Sequence, residues 1–299
     1  MKEQPTELIT LPSGIRLAYL KSNSPVSHLA FYFKGGSRSE PAEKAGLAHY
    51  LEHCIFKGTQ QHSPMWILSR LDEVGGELNA FTAKEEICVH ATFLTKYTRR
   101  SFELMADLVV NSTFPVEEIE KEKEVIIDEI NSYKDSPVDR IMDEFDALLY
   151  PGNTLGNAIL GTKKSVRSLK REDLMAFMKS NFTADNLVIS YVGKESKQKL
   201  TQLAEDLLSG LPAKATNLHF SAPKPLTPFA LRKKESNHQS HAMLGAFGPS
   251  FRDEDRMIMN LLINYLGGPA MNARLNLIIR EKYGLAYHVE ANYTALEDT

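Results

Sequence analysis

Two stretches of this chain echo one another. Ser27–Gly35 (SHLAFYFKG) aligns with Ser240–Gly248 (SHAMLGAFG) at a constant offset of 213, and each is followed by an apolar stretch of helical spacing that ends at glycine. A repeated strand-then-helix order restricts the chain to two copies of one unit, each burying a helix against its own sheet. At 299 residues there is room for two domains. The stretch 212–228 carries four prolines and little periodicity, which makes it the linker. The expected division is therefore 1–211, a linker over 212–228, and a second domain over 229–299. With the first copy as ruler, a complete second copy runs to about residue 425. The chain ends at Thr299, so the expectation is a fragment. Its fold class is α+β: two duplicated α/β-sandwich domains, each a mainly antiparallel sheet with helices packed on it, the second incomplete.

Periodicity fills in the elements. Strands are expected over 7–20 (two, around a Pro-Ser-Gly turn), 26–34, 77–94 (a hairpin) and 186–192. Helices are expected over 41–57, 64–74, 98–111, 116–133, 138–149, 171–180 and 195–209. Beyond the linker come strands 229–234, 239–247 and 285–294, with helices 253–266 and 271–282. Trp66 fits the apolar face of its helix, and His90 reads as a strand histidine without a partner at metal spacing.

The helix over 41–57 carries chemistry that its echo lacks. His49 and His53 are four apart, so on a helix they lie one above the other on one face. Two imidazoles so placed can fill two corners of a zinc tetrahedron. Glu52 lies one turn from His49 and can hold a water that the metal has made acidic. The pattern H-x-x-E-H is the reverse of the commoner H-E-x-x-H zinc-protease helix. Shifted by 213, the three residues fall on Leu262, Tyr265 and Leu266, so the second copy has none of this chemistry.

Composition narrows the partners. The net charge is −3 with no basic block, which disfavours nucleic acid and anionic membrane. No apolar run is long enough to span a bilayer. The N-terminus shows neither a secretory nor an Arg-rich transit pattern, so a cytoplasmic protein is expected. The two cysteines, Cys54 and Cys88, are too few for a disulfide scaffold. Cys54 reads as a small buried apolar residue.

A zinc peptidase site needs a third protein ligand and an open position for water. Helix 116–133 holds six glutamates, most of them suited to a solvated face. Glu122 and Glu129 are seven apart on one face, with Val125 and Ile126 between them. A carboxylate on an apolar side needs a partner, and a zinc ion is one.

These residues carry a resemblance. HYLEH followed 76 residues later by Glu129, within EKEVIIDEI, resembles the pitrilysin/insulinase family of inverzincin zinc peptidases. Within it, the chain looks most like the bacterial branch related to the mitochondrial processing peptidase. GGELNAFTAKEE (75–86) is similar to the family's active-site edge strand, GLAHYLEHCIFKGT to the surroundings of its zinc helix, and LGG followed by IIREKYGLAYHV (278–289) to its second-domain signature. LGGPAMNARL departs from the family's small-residue spacing, which touches the substrate chamber and not the zinc site.

The resemblance implies the following roles. His49, His53 and Glu129 hold one zinc per chain. Glu52 is the general base, and Glu122 is a carboxylate behind a ligand. Asn79 and Ala80 lie where the edge strand pairs with an extended peptide substrate, and Arg280 and Tyr287 reach that substrate from the second domain. The implied activity is a zinc-dependent endopeptidase acting on short or extended polypeptides. Because the chain carries both the zinc ligands and the Arg/Tyr pair, a homodimer of the full-length protein is implied. The alternative is a non-catalytic scaffold or partner subunit of a related peptidase complex. Such subunits lack ligands, and all three are present here.

Overall fold

The computed structural model of the chain describes residues 5–215, 220–235 and 238–299. Residues 1–4 of the N-terminal stretch and 216–219 of the proline-rich stretch lie outside them. Two compact units are present, residues 1–221 with 235–241, and residues 222–234 with 242–299. Among the described residues no helix is long and apolar enough to cross a membrane.

The first unit is built on six strands: β1 Glu7–Thr10, β2 Arg16–Lys21, β3 Val26–Lys34, β4 Glu77–Thr82, β5 Glu86–Leu94 and β6 Leu187–Gly193. Their spatial order is β1-β2-β6-β3-β5-β4. Every neighbouring pair is antiparallel except β2 with β6. In β6, Leu187, Ile189 and Tyr191 are buried and the residues between them are half-buried. That is the period-2 pattern of a sheet with one face on a core. The helices cover that face. They are α1 Leu47–Cys54, α2 Pro64–Asp72, α3 Thr98–Asn111, α4 Val116–Asp135, α5 Pro137–Leu149, α6 Lys163–Ser168, α7 Arg171–Asn181 and α8 Lys197–Leu207. Phe33 of β3 stacks on Phe182 with ring centroids 4.1 Å apart, and Phe31 meets Phe102 of α3 edge-on at 5.2 Å. Each buried phenylalanine of this kind contributes roughly 1.5–3 kcal/mol.

On α4 the buried positions are Ile119, Glu122, Lys123, Ile126, Ile127 and Ile130. Val125, expected on the inward side, is exposed, and Ile127 takes that place. The cause is the helical angle: Val125 and Ile127 lie about 100° to either side of Ile126, and Ile127 is on the side shared with Ile119, Lys123 and Ile130.

The second unit contains helix α9 Arg256–Gly267 and a π-helical turn Asn276–Lys282. The 213-residue shift carries Cys54, where α1 ends, onto Gly267, where α9 ends. The strands expected over 229–234, 239–247 and 285–294 do not form. Among the described residues no neighbouring strand offers these segments a ladder, and a strand exists only by pairing.

The helix that carries His49 and His53 is shorter than its apolar pattern. Ala42–Lys44 form one tight turn, the chain turns again, and α1 runs only from Leu47 to Cys54. The break lies at Gly46, whose φ is +93°. Gly46 also packs backbone against backbone with the 160–161 segment: a Cβ there would sit 2.6 Å from the Leu160 carbonyl oxygen. The buried Glu40 carboxylate then caps the new helix start, accepting N–H bonds from Gly46 (2.9 Å) and Ala48 (2.7 Å). Gly46→Ala would meet both the left-handed backbone penalty, about 1–2 kcal/mol, and the Leu160 contact. Urea unfolding of this variant is expected to lose at least that much stability, whereas Ala42→Gly in the preceding turn loses about 1 kcal/mol or less.

Candidate metal centre

Helix α1 is held where its histidines can meet α4. The Tyr50 hydroxyl, fully buried, donates to the Ile119 carbonyl of α4 at 2.5 Å. Leu47, Ala48, Leu51 and Cys54 face the core. The remaining face carries His49, Glu52 and His53, and α4 presents Glu129 to it. One ligand atom each from His49, His53 and Glu129 lies within 4.8 Å of the others. Glu129 Oε2 is 3.6 Å from Nε2 of His49 and 3.6 Å from Nε2 of His53. Donors at about 2.0–2.1 Å around a tetrahedral zinc stand about 3.3 Å apart. Two imidazole nitrogens and one carboxylate oxygen suit that ion in chemistry and in spacing.

The outer partners differ for the two histidines. His53 Nδ1 meets Glu122 Oε1 at 2.9 Å, and Glu122 Oε2 meets Lys57 Nζ at 2.6 Å. Donation from Nδ1 to that carboxylate leaves Nε2 as the free lone pair facing Glu129. His49 Nδ1 is buried and has no hydrogen-bond partner among the described residues. The electrostatics follow. Burial, helped by repulsion from His53, drops His49 to about 4. Burial also pulls His53 down, but its bond to Glu122 and the charges of Glu122, Glu52 and Glu129 outweigh it, so His53 lies above the ordinary imidazole value. Burial alone would raise Glu122, yet the bonds from His53 and Lys57 hold its carboxyl below the usual range.

Glu52 projects beside the cluster. Burial pushes its carboxyl above the ordinary range, with the Thr82 hydrogen bond pulling the other way. Thr82 ends β4 and donates its hydroxyl to Glu52 Oε2 at 2.7 Å. Asn79 and Ala80 lie on the same strand, paired with His90 and Val89 of β5. Because β4 is the last strand of the sheet, its other edge is unpaired among the described residues. Arg280 and Tyr287 belong to the second unit, where the guanidinium lies 5.0 Å from the centre of the Tyr287 ring. Both line a polar cleft of about 490 Å3 together with Asn264, Gly267 and Glu290.

Two residues of the site are absent from the sequence reading. Lys57 lies four residues past His53, a spacing that could have drawn attention to it, though the helix has already ended. Thr82 lies two residues past Ala80 and so on its face of the strand, but nothing in the sequence tells which helix that face meets.

Residues 16–163 match the model of the family described as Insulinase (Peptidase family M16), and residues 168–299 match that of the Peptidase M16 inactive domain. A protein named uncharacterized zinc protease YmxG, from Bacillus subtilis, is 35% identical over 97% of this chain and 70% of its own length. An uncharacterized zinc protease of Mycobacterium leprae is 34% identical over 96% of this chain and 65% of its own. The chain thus spans about two thirds of the length of these relatives. In fold it is similar to the crystal structure of a peptidase M16 inactive domain from Pseudomonas fluorescens, with a TM-score of 0.85 and 20% identity over 98% of this chain and 72% of that one. A protease from Helicobacter pylori gives the same TM-score at 21% identity and the same coverage. With a histidine pair on one helix, a glutamate across from it and relatives of this similarity along nearly its whole length, the chain belongs to the insulinase family of peptidases, family M16.

Proposed function

We propose that this chain carries the catalytic centre of a zinc-dependent endopeptidase that hydrolyses short or extended polypeptides. One observation carries the reading: the ligand atoms of His49, His53 and Glu129 converge within 4.8 Å, with the Glu52 carboxylate beside them. The family and the zinc proteases among its relatives support it.

A bound zinc ion supplies a more acidic water and a polarised scissile carbonyl. The rest falls to the protein. His49, His53 and Glu129 contribute two neutral donors and one negative one, which leaves the ion with a net positive charge. Glu122, backed by Lys57, keeps His53 in the tautomer that offers Nε2. Glu52 takes the proton from the attacking water and returns it to the leaving amine nitrogen. The open edge of β4 at Asn79 and Ala80 suits a substrate that adds as a further strand through main-chain bonds. That mode reads extended conformation more than side-chain identity. Arg280 and Tyr287 pair a cationic fork with a phenol, groups suited to a substrate carbonyl or carboxylate.

Three outcomes are expected. Metal analysis should find about one zinc per wild-type chain, and Glu129→Gln should weaken zinc binding on the order of 10-fold or more. Full retention of zinc in that variant would remove Glu129 as a ligand. Glu52→Gln should keep its zinc and lose about 10²–10⁴-fold in peptide hydrolysis, measured on an unstructured fluorogenic peptide. The third concerns pH. His53 lies above the ordinary imidazole value, and zinc must displace its proton. The apparent affinity should therefore fall as pH drops through and below neutrality, by about tenfold per pH unit once His53 is mostly protonated. Competition titrations at several pH values read that slope, and a flat profile would contradict it.

A further inference from the structure

We propose that Thr82 is a positioning residue for the general base, fixing Glu52 from the same strand whose open edge suits the substrate. The inference rests on the peptidase reading above and adds a residue to it.

A glutamate on a helix surface has three rotatable bonds, so its carboxylate is not aimed by the backbone alone. The Glu52 carboxylate is held by Thr82 alone among the described residues that bond it, through the hydroxyl, Oγ1 to Oε2 at 2.7 Å, and through the Thr82 backbone N–H. The alternative acceptor for that hydroxyl, the Ala48 carbonyl, is 3.5 Å away and beyond good bonding distance. The hydroxyl proton therefore goes to Glu52. Oε2 is thereby anchored by the hydroxyl. The two clamps of the site come from different elements: α4 fixes the ligand His53 through Glu122, and β4 fixes the base through Thr82. Thr82 lies two and three residues from Ala80 and Asn79, so a peptide that extends β4 stiffens the strand that aims the base. A threonine is suited to this, since its branched Cβ restricts χ1 in a strand and gives the hydroxyl few directions.

The test compares Thr82→Val, which keeps the shape and removes the donor, with Thr82→Ser, which keeps the donor. Zinc content should match wild type in both. In Thr82→Val, kcat on an unstructured peptide should fall about tenfold or more while KM stays within about twofold, and Thr82→Ser should recover most of the loss. Added to Glu52→Gln, Thr82→Val should cause no further loss, because the residue acts through Glu52. Crystal structures of the variants give a readout free of activity: the Glu52 carboxylate should leave its place in Thr82→Val and keep it in Thr82→Ser. An unchanged kcat in Thr82→Val, or a Glu52 carboxylate in the same place in all three proteins, overturns the proposal. A zinc-loaded wild type inert on every peptide would sink the peptidase reading instead, and the crystallographic comparison would still decide the role of Thr82.

Discussion

The contact between α1 and α4 is the constraint on which the rest of the site depends. An eight-residue helix is too short to be stable in water by itself. α1 exists because Leu47, Ala48, Leu51 and Cys54 are buried, because Glu40 satisfies its first N–H groups, and because Tyr50 ties it to the Ile119 carbonyl. α4 is twenty residues long and packs through four isoleucines, Ile119, Ile126, Ile127 and Ile130, so it acts as the fixed beam. Glu122 and Glu129 are two turns apart on that beam. The first reaches the back of His53 and the second reaches the front of both histidines.

This arrangement concentrates opposed electrostatic demands in a small volume. His49 is pushed toward neutrality by burial, while His53 is drawn toward its charged form by the carboxylates around it. Both are ordinary consequences of taking ionisable groups out of water beside unequal neighbours. A divalent cation with two neutral imidazoles and a carboxylate meets both demands at once. Lys57 performs a quieter task, since its ammonium balances the charge of Glu122 and leaves that carboxylate free to orient His53.

The second unit shows what the fold looks like when the chemistry is absent. α9 ends at the same register as α1, yet Leu262, Tyr265 and Leu266 stand at the positions of His49, Glu52 and His53. What the second copy shares with the first among the described residues is this helix and where it ends, without the histidines and the glutamate. Arg280 and Tyr287 are brought together there by a π-helical turn that follows α9, a feature no apolar spacing announces.

Much of this protein was legible in its sequence. The i, i+4 histidines could only be useful on a helix, and the alternation in 26–34 and 186–192 could only be strands with one buried face. Such patterns are local, and local periodicity survives in any context that buries the apolar side. The sequence also led to Glu129, but through resemblance, because the 76 residues of chain between His53 and Glu129 carry no distance information. Only the tertiary structure decided that α1 begins at Leu47 and not near Pro41, since the break comes from a backbone approach between residues distant in sequence, Gly46 and the 160–161 segment. It alone exchanged Val125 for Ile127, left the expected strands of the second unit without ladders, and joined Thr82 to Glu52 and Lys57 to Glu122. Each of these depends on which surfaces meet. The chain by itself determined which residues have the chemistry to bind a metal and move a proton; packing decided which of them are close enough to do it.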